Sequence, residues 1–338
     1  MSEPYSPAAR ILVVSAATVI VLAGMKQAAP LLVPFLLSVF IAILCLPPMA
    51  AMQKNGVSTG LSLLLVITGV AGVALALAWL IGSSIETFSQ NLPLYQSKIS
   101  ALWGQLLNAL QARGILSPGT VASDSLDPSA AMQLVARILA GFGNVLANSF
   151  LIFLTVVFIL LEAASFERKM QHIGLSGDQD CIRTAFVNRL RQYMSIKTSM
   201  SALTGVLVTL LLWALGVDYP VLWGVLAFMF NYVPNIGSIL AAAPAILLAL
   251  VQLDATAAIL AAAGYAVINI VVGNMIEPRF MGRELGLSTL VVFLSLVFWG
   301  WILGPVGMLL SVPLTVSVKL ALDSHPDTRW LGTLLGHA

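Results

Sequence analysis

Charged side chains are scarce in this chain of 338 residues. Only 16 residues are Lys or Arg and 14 are Asp or Glu, so 9% are charged, while 59% are hydrophobic. A soluble domain carries about 25% charged residues, so this chain has too few to cover its surface in water. The formal net charge is +2 and no basic patch is interleaved with aromatic residues, so we expect no nucleic-acid partner.

Cysteine and histidine are also rare, with two and three residues. Cys45 lies in an apolar run and Cys181 in a polar segment, which excludes a disulfide framework or a spaced pair of zinc ligands. The histidines, His172, His325 and His337, are scattered along the chain. Nucleophile-elbow and nucleotide-binding motifs are missing, and no apolar run contains a catalytic dyad. We therefore expect no metal, no cofactor and no enzymatic activity.

Long apolar runs are abundant instead. A helix of about 20 apolar residues crosses the ~30 Å hydrocarbon core of a bilayer, and several runs reach that length. The sequence therefore predicts an all-α polytopic membrane protein with about six full spans. The first run has no convincing small-residue cleavage site and is expected to be retained. The predicted spans are about 9–25, 30–48 and 61–81 within residues 1–81, followed by about 144–161, 199–215 and 255–274. The second is expected to end at Pro47-Pro48, because proline rings stop a helix.

Residues 82–143 have mixed polarity and separate the third span from the fourth. Apolar residues recur there near helical spacing, namely Ile85, Phe88, Leu92, Ile99, Leu102, Leu106 and Leu110. This periodicity predicts an amphipathic helical segment outside the membrane. It would pack on itself or on a neighbouring subunit, and the alternative is a soluble ligand-binding segment.

The orientation follows from a basic loop. Residues 144–198 combine the fourth span with a loop, and residues 162–198 hold six Lys or Arg residues. Short loops rich in Lys and Arg stay in the cytoplasm. Counting spans from this loop places residues 82–143 in the periplasm. Both termini, including the tail at 323–338, are then cytoplasmic.

The apolar run from Val221 to Leu253 is broken near its middle by Pro-Asn-Ile-Gly, starting at Pro234. At 1.5 Å per residue, its roughly 33 residues form about 50 Å of helix, too long for one span. It is also too short for two spans of about 20 residues each with a turn. The arrangement that fits this length is a re-entrant hairpin that enters and leaves the membrane on one face. The alternative is a single helix kinked at the proline.

The apolar run from Ser288 to Leu322 is likewise too long for one span and too short for two, and Gly-Pro-Val-Gly at residues 304–307 breaks it near its middle. Several residues of the first run recur in order in the second: Trp223-Gly224, Pro234, Gly237 and Pro244 correspond to Trp299-Gly300, Pro305, Gly307 and Pro313. The positive-inside rule places the first hairpin on the outer face and the second on the cytoplasmic face. Residues 199–322 are therefore predicted to form a transport region with two broken hairpins in an inverted repeat. Such repeats, with broken helices meeting near the midplane, are typical of secondary transporters.

Three stretches of this region carry a resemblance to a known family. NYVPNIGSILAAAPAILLAL, NMIEPRFMGRELGLS and WGWILGPVGMLLSVPL resemble the autoinducer-2 exporter family of bacterial membrane proteins. The match is firm over residues 199–322 and general over the first 198. Ser238 and Ser288 stand where many members have proline.

The resemblance implies a cofactor-free transporter of the bacterial inner membrane that assembles as a homo-oligomer, with a pentamer as the candidate assembly. Substrates assigned across the family are autoinducer-2, which is exported, or sodium and lithium, which are exchanged for protons.

Polar residues and helix breakers at the two tips are the candidates for substrate binding or gating. Buried amides are costly unless they are hydrogen-bonded, so they would bind a polar ligand or cap the broken helices. The candidates are Asn231, Pro234, Asn235, Gly237, Ser238, Asn274, Pro305 and Gly307.

Glu277 ends the sixth apolar span and precedes a proline. A carboxylate within a membrane span is a functional hypothesis by default, here ion or proton coupling. The alternative is a structural ion pair with Arg279 or Arg283, which follow closely in the sequence.

These patterns predict a secondary transporter that exports a small polar solute of the autoinducer-2 type. The alternatives are a sodium or lithium/proton antiporter, a channel, and a membrane scaffold that does not transport. The expected partners are the lipid bilayer, further copies of the chain, and a small polar solute or monovalent cation.

Overall fold

The structure, a computed structural model, describes residues 7–114, 129–173, 178–233, 236–281, 288–323 and 328–335. All regular secondary structure within these ranges is helical. In chain order the helices are α1 (Pro7–Gln27), α2 (Ala29–Lys54), α3 (Thr59–Ala112), α4 (Ser129–Ala147), α5 (Ser149–Ile173), α6 (Asp178–Leu215), α7 (Pro220–Phe230), α8 (Ile236–Gln252), α9 (Ala255–Ile268), a π-helical segment (Asn269–Ile276), α10 (Glu277–Met281), α11 (Thr289–Leu309), α12 (Ser311–Asp323) and α13 (Arg329–Leu334).

Five stretches of described helix are long and apolar enough to cross a membrane by length and composition. They are Ala29–Lys54, Thr59–Ala112, Arg191–Leu215, Ala255–Phe280 and Leu290–Leu309. The first four contain the second, third, fifth and sixth predicted spans. The described apolar parts of the predicted first and fourth spans, Leu12–Gln27 and Ser149–Glu162, are shorter. The protein is thus an all-α polytopic membrane protein, as the sequence predicts.

Helix α2 does not stop where the sequence suggested. It continues through Pro47 and Pro48 to Lys54, so the predicted end of this span at the two prolines is wrong. Ending a helix inside a membrane leaves backbone groups unbonded, whereas a proline within it frees only a few that neighbouring groups can satisfy. Continuation is therefore the less costly arrangement.

Helix α3 joins the third span to the predicted extramembrane segment without a break. Its 54 residues correspond to about 81 Å of helix. Part of the predicted apolar face is buried, with Phe88 1% and Ile99 8% exposed, whereas Leu102 and Leu106 are exposed. The amphipathic segment is thus a helical continuation of a span.

The chain divides into two compact units. The terminal unit comprises Met1–Val66, Leu151–Ser195 and Arg283–Ala338, and the central unit comprises Ile67–Phe150 and Ile196–Gly282.

In the central unit, Phe88 lies at the middle of an aromatic cluster. Its ring centroid is 5.7 Å from that of Tyr95, 6.2 Å from Tyr219 and 6.4 Å from Trp223. Such aromatic pairs contribute about 0.5–1.5 kcal/mol each beyond their burial.

The first hairpin, formed by α7 and α8, returns to its starting point. The side chain of Gln252, the last residue of α8, accepts a hydrogen bond from the backbone N–H of Asp218 (2.8 Å) and donates one to the carbonyl of Gly216 (3.2 Å). Asp218 precedes α7 and accepts a hydrogen bond from the Tyr95 hydroxyl of α3 (3.1 Å). Both ends of the run therefore meet beside the part of α3 that follows the predicted third span. This contact confirms the chain reversal and excludes a single kinked helix.

The second hairpin, in the terminal unit, also reverses direction. Gly304 has φ 68° and ψ −153°, a backbone conformation that is essentially restricted to glycine. Across the break, the Trp299 indole N–H donates to the Thr315 hydroxyl at 3.0 Å. The predicted break at this position is confirmed.

The tip of the second hairpin packs at the turn between α1 and α2. Trp299, Ile302 and Leu303 pack against residues on both sides of that turn, including Met25 and Ala29. The Lys26 ammonium lies 4.1 Å from the centre of the Trp301 ring, a cation–π contact. The tip thus lies beside the ends of α1 and α2 and not halfway along them.

Candidate functional site

Side-chain hydrogen bonds hold the turn of the first hairpin against α6. The Asn231 amide donates to the Ser201 hydroxyl at 3.0 Å, and the Tyr232 hydroxyl donates to the Thr198 hydroxyl at 2.7 Å. Ser201 is fully buried. Polar groups in such surroundings are costly unless they are bonded, so these pairs fix where the turn lies against α6.

Glycine at position 237 makes the tight turn possible. A Cβ atom there would overlap the backbone carbonyl oxygen of Phe230 on the opposite arm. Gly307 has the same role in the second hairpin, where a Cβ atom would overlap the carbonyl oxygen of Trp299. The predicted correspondence between these two glycines therefore has a common structural cause, which is close approach of the two arms.

A small cavity lies behind the first hairpin turn, within the central unit. Its polar lining residues are Thr204 of α6, Asn231 of the turn, Ser238 of α8, Tyr265 of α9 and Asn269 of the π-helical segment. The space open to the centre of a water molecule is about 10 Å³, which is about enough for one water. Five neutral polar side chains thus converge on a space of molecular size.

Local sequence spacing explains this convergence. Ser201, Thr204 and Val208 are spaced by three and four residues, which places them on one face of α6. Ile268 and Asn269 follow Tyr265 by three and four residues, which places these three on one face as well. Directly after Ile268, the backbone widens into a π-helix that runs from Asn269 to Ile276. Single π-helical turns occur frequently at functional sites.

Glu277 forms a buried ion pair with Lys197 of α6. The Lys197 Nζ to Glu277 Oε1 distance is 2.6 Å, and the two side chains are 8% and 11% exposed. The pair ties the end of the π-helical segment to α6, one residue before Thr198. The carboxylate predicted for ion coupling is therefore buried and bonded to a cation 80 positions away in the sequence.

Other predicted residues lie elsewhere. Arg279, a predicted partner of Glu277, is exposed, as is Asn274. Pro305 is exposed and Gly307 is buried, and both belong to the terminal unit. The structure thus brings Asn231 and Ser238 together at one cavity. Pro234, Asn235 and Arg283 lie outside the described residues.

The sequence patterns do not predict several residues of this site. Lys197 belongs to the basic loop used for the orientation, and Thr204, Tyr265 and Asn269 of the cavity and Thr198, Ser201 and Tyr232 at the turn are not among the predicted site residues. Polar residues at 197, 201 and 204 share one helical face, which was an available signal. Tyr265 stands within an apolar run, and the sequence alone gave no sign of which way it faces.

Comparison with known proteins finds a family of transporters and several related transport proteins. A family model described as "AI-2E family transporter" matches residues 16–327. A protein of Haemophilus influenzae named "Putative transport protein" is 44% identical over 335 residues, covering 97% of this chain and 96% of that protein. "AI-2 transport protein TqsA" of Escherichia coli strain K12 is 40% identical over 332 residues, covering 96% and 95%. "Putative transport protein YhhT" of the same strain is 34% identical over 339 residues, covering 99% and 96%.

The family model and these relatives extend well beyond the residues that carried the sequence resemblance. They include part of α1, all of α2 and α3, and the two hairpins. We conclude that the chain belongs to the AI-2E transporter family.

Proposed function

We propose that this transporter exports a small polar solute of the autoinducer-2 type across the bacterial inner membrane. The observation that carries the proposal is the relative named as an AI-2 transport protein, 40% identical over 95% of its own length. The proposal includes no chemical step, in keeping with the expectation that the protein is not an enzyme.

The cavity at the first hairpin supports a polar solute. Amide and hydroxyl groups can donate and accept hydrogen bonds, and Asn231, Ser238 and Asn269 bring such groups to one place. A scaffold without transport would have no need for a polar cavity or for two reversing hairpins.

The proposal extends to assembly and orientation. We propose a homo-oligomer, with a pentamer as the candidate assembly, and both termini in the cytoplasm. The exposed apolar side chains of α3 beyond Ile99, including Leu102 and Leu106, would suit contact with a neighbouring subunit. The basic loop at residues 162–198 supports the orientation through the positive-inside rule.

A sodium or lithium/proton antiporter is a second candidate, and the buried ion pair favours it. Charged residues within membrane helices are typical of ion pathways, and Glu277 is held in such a helix by Lys197. In this alternative Glu277 carries the exchanged charge, with Arg279 and Arg283 close in sequence.

Reconstitution in liposomes tests the two candidates directly. We expect the purified protein to release loaded autoinducer-2 faster than protein-free liposomes do, measured side by side with sodium and proton fluxes. Sodium-dependent proton flux without release of autoinducer-2 would instead support the antiporter. If none of the three fluxes exceeds the protein-free control, transport of these substrates is rejected.

Thiol labelling tests the orientation. A cysteine at Gln111, exposed at the end of α3, should react with an impermeant thiol reagent added from the periplasmic side. The matched control is a cysteine at Lys54, exposed at the end of α2, which should react only after the membrane is permeabilised. The reverse pattern would show that the orientation is inverted.

A further inference from the structure

We propose that the Tyr265 hydroxyl is the polar anchor of the solute site, in the cavity behind the first hairpin turn. This inference rests on the proposed function and adds to it the site and the chemistry of recognition. The ligand would be a small solute with hydroxyl or carbonyl oxygens, bound between α6, α8 and α9.

The first argument is the burial of a polar atom without a partner. Tyr265 is 7% exposed, and its hydroxyl has no hydrogen-bond partner within the described part of the protein. Buried tyrosine hydroxyls normally find a partner, because an unsatisfied one costs free energy. Tyr95, which is equally well buried in the same unit, bonds Asp218. Tyr265 thus differs from Tyr95 in having no partner for its hydroxyl among the described residues, and it lines the cavity.

The second argument is the set of polar groups that line the same cavity as this hydroxyl. The amide of Asn231 uses its N–H group to bond Ser201, so its carbonyl oxygen is not engaged in that bond. Asn269 lies one helical turn after Tyr265, at the first residue of the π-helical segment. These groups combine acceptors and donors without a net charge, which suits an uncharged hydroxylated solute better than an anion.

The third argument concerns size and movement. A space of about 10 Å³ admits one water, whereas small-molecule sites are typically about 300–1,000 Å³. Binding of a solute here therefore requires the cavity to widen. One wall is the hairpin turn, which contributes Asn231, so displacement of the turn would enlarge the cavity and expose Tyr265 to the solute.

The test compares Tyr265→Phe with Tyr95→Phe in liposomes, with autoinducer-2 as the probe. Tyr265→Phe should raise the KM for autoinducer-2 about tenfold, the effect of one lost hydrogen bond. It should leave the melting temperature unchanged or higher, because no protein hydrogen bond within the described residues is lost. Tyr95→Phe should lower the melting temperature and leave the KM unchanged. Autoinducer-2 should also raise the melting temperature of the wild type more than that of Tyr265→Phe.

Each other outcome is decisive. If the wild type transports autoinducer-2 and Tyr265→Phe has the same KM, the inference is overturned while the proposed function stands. If Tyr265→Phe fails to fold, its hydroxyl is structural and the inference is likewise overturned. If the wild type neither transports autoinducer-2 nor gains stability from it, the proposed function fails, and the inference falls with it.

Discussion

Replacing Glu277 by Gln should destabilise the protein by about 3–5 kcal/mol, because it leaves a buried Lys197 ammonium without its counter-charge. The ammonium lies 2.6 Å from the carboxylate and is only 8% exposed, so water cannot take the place of Glu277. We expect the loss to be visible as a lower melting temperature and a lower denaturant midpoint.

Two matched variants separate the causes. Arg279, two positions after Glu277, is exposed. Arg279→Gln therefore removes a charge from the surface and should change the free energy of unfolding by less than about 0.5 kcal/mol. The double variant Lys197→Met, Glu277→Leu removes both charges and should recover most of the stability, since apolar residues can replace a buried pair at little cost. Loss of any sodium or proton flux in this folded double variant would assign ion coupling to the pair. A stability of Glu277→Gln equal to that of Arg279→Gln would show that the pair is not buried.

Replacing Gly237 by Ala should abolish transport and destabilise the protein by about 1–3 kcal/mol, the usual cost of overpacking. The added methyl group would overlap the carbonyl oxygen of Phe230, and a backbone atom cannot rotate away as a side chain can. The turn must therefore shift, and the bond between Asn231 and Ser201 shifts with it. Liposome transport and the melting temperature measure the two effects.

Gly307→Ala and Gly72→Ala complete this comparison. Gly307 meets the Trp299 carbonyl in the same way, whereas a methyl group at Gly72 in α3 meets open space. We expect Gly307→Ala to behave like Gly237→Ala, and Gly72→Ala to be neutral or more stable, because alanine favours a helix by about 1 kcal/mol over glycine. Normal transport by Gly237→Ala would refute a requirement for close approach of the arms.

The two hairpins could be predicted because length alone constrains them. A run of about 33 apolar residues fits neither one span nor two, and the helix breakers mark where it turns. The ion pair could not be predicted in the same way. Sequence proximity suggested Arg279 and Arg283 as partners, whereas Lys197 lies 80 positions from Glu277 and becomes adjacent only when α6 and α10 pack together.

Asn274 shows a second limit of sequence patterns. It was predicted for the site, yet it is exposed. It lies in the π-helical segment, where backbone hydrogen bonds join residues five apart. Side chains in it therefore face directions that the 3.6-residue period of an α-helix does not give. Nothing in the sequence Asn269–Ile276 distinguishes this segment from an ordinary helix.

The hydrogen bonds of Gln252 fix the base of the first hairpin, so the free-energy cost of opening the hairpin depends on the contacts at its tip. The base is joined to the Gly216–Asp218 turn by two bonds from the Gln252 side chain, while Asn231 and Tyr232 bond the tip to α6. Swinging the tip about a fixed base would break the bonds of Asn231 and Tyr232, at a net cost of about 1 kcal/mol each. It would also expose apolar side chains of the turn such as Val233, which is 4% exposed, and burial of one such side chain is worth about 1.5–3 kcal/mol. A solute would then have to supply this free energy through tighter binding to the open state.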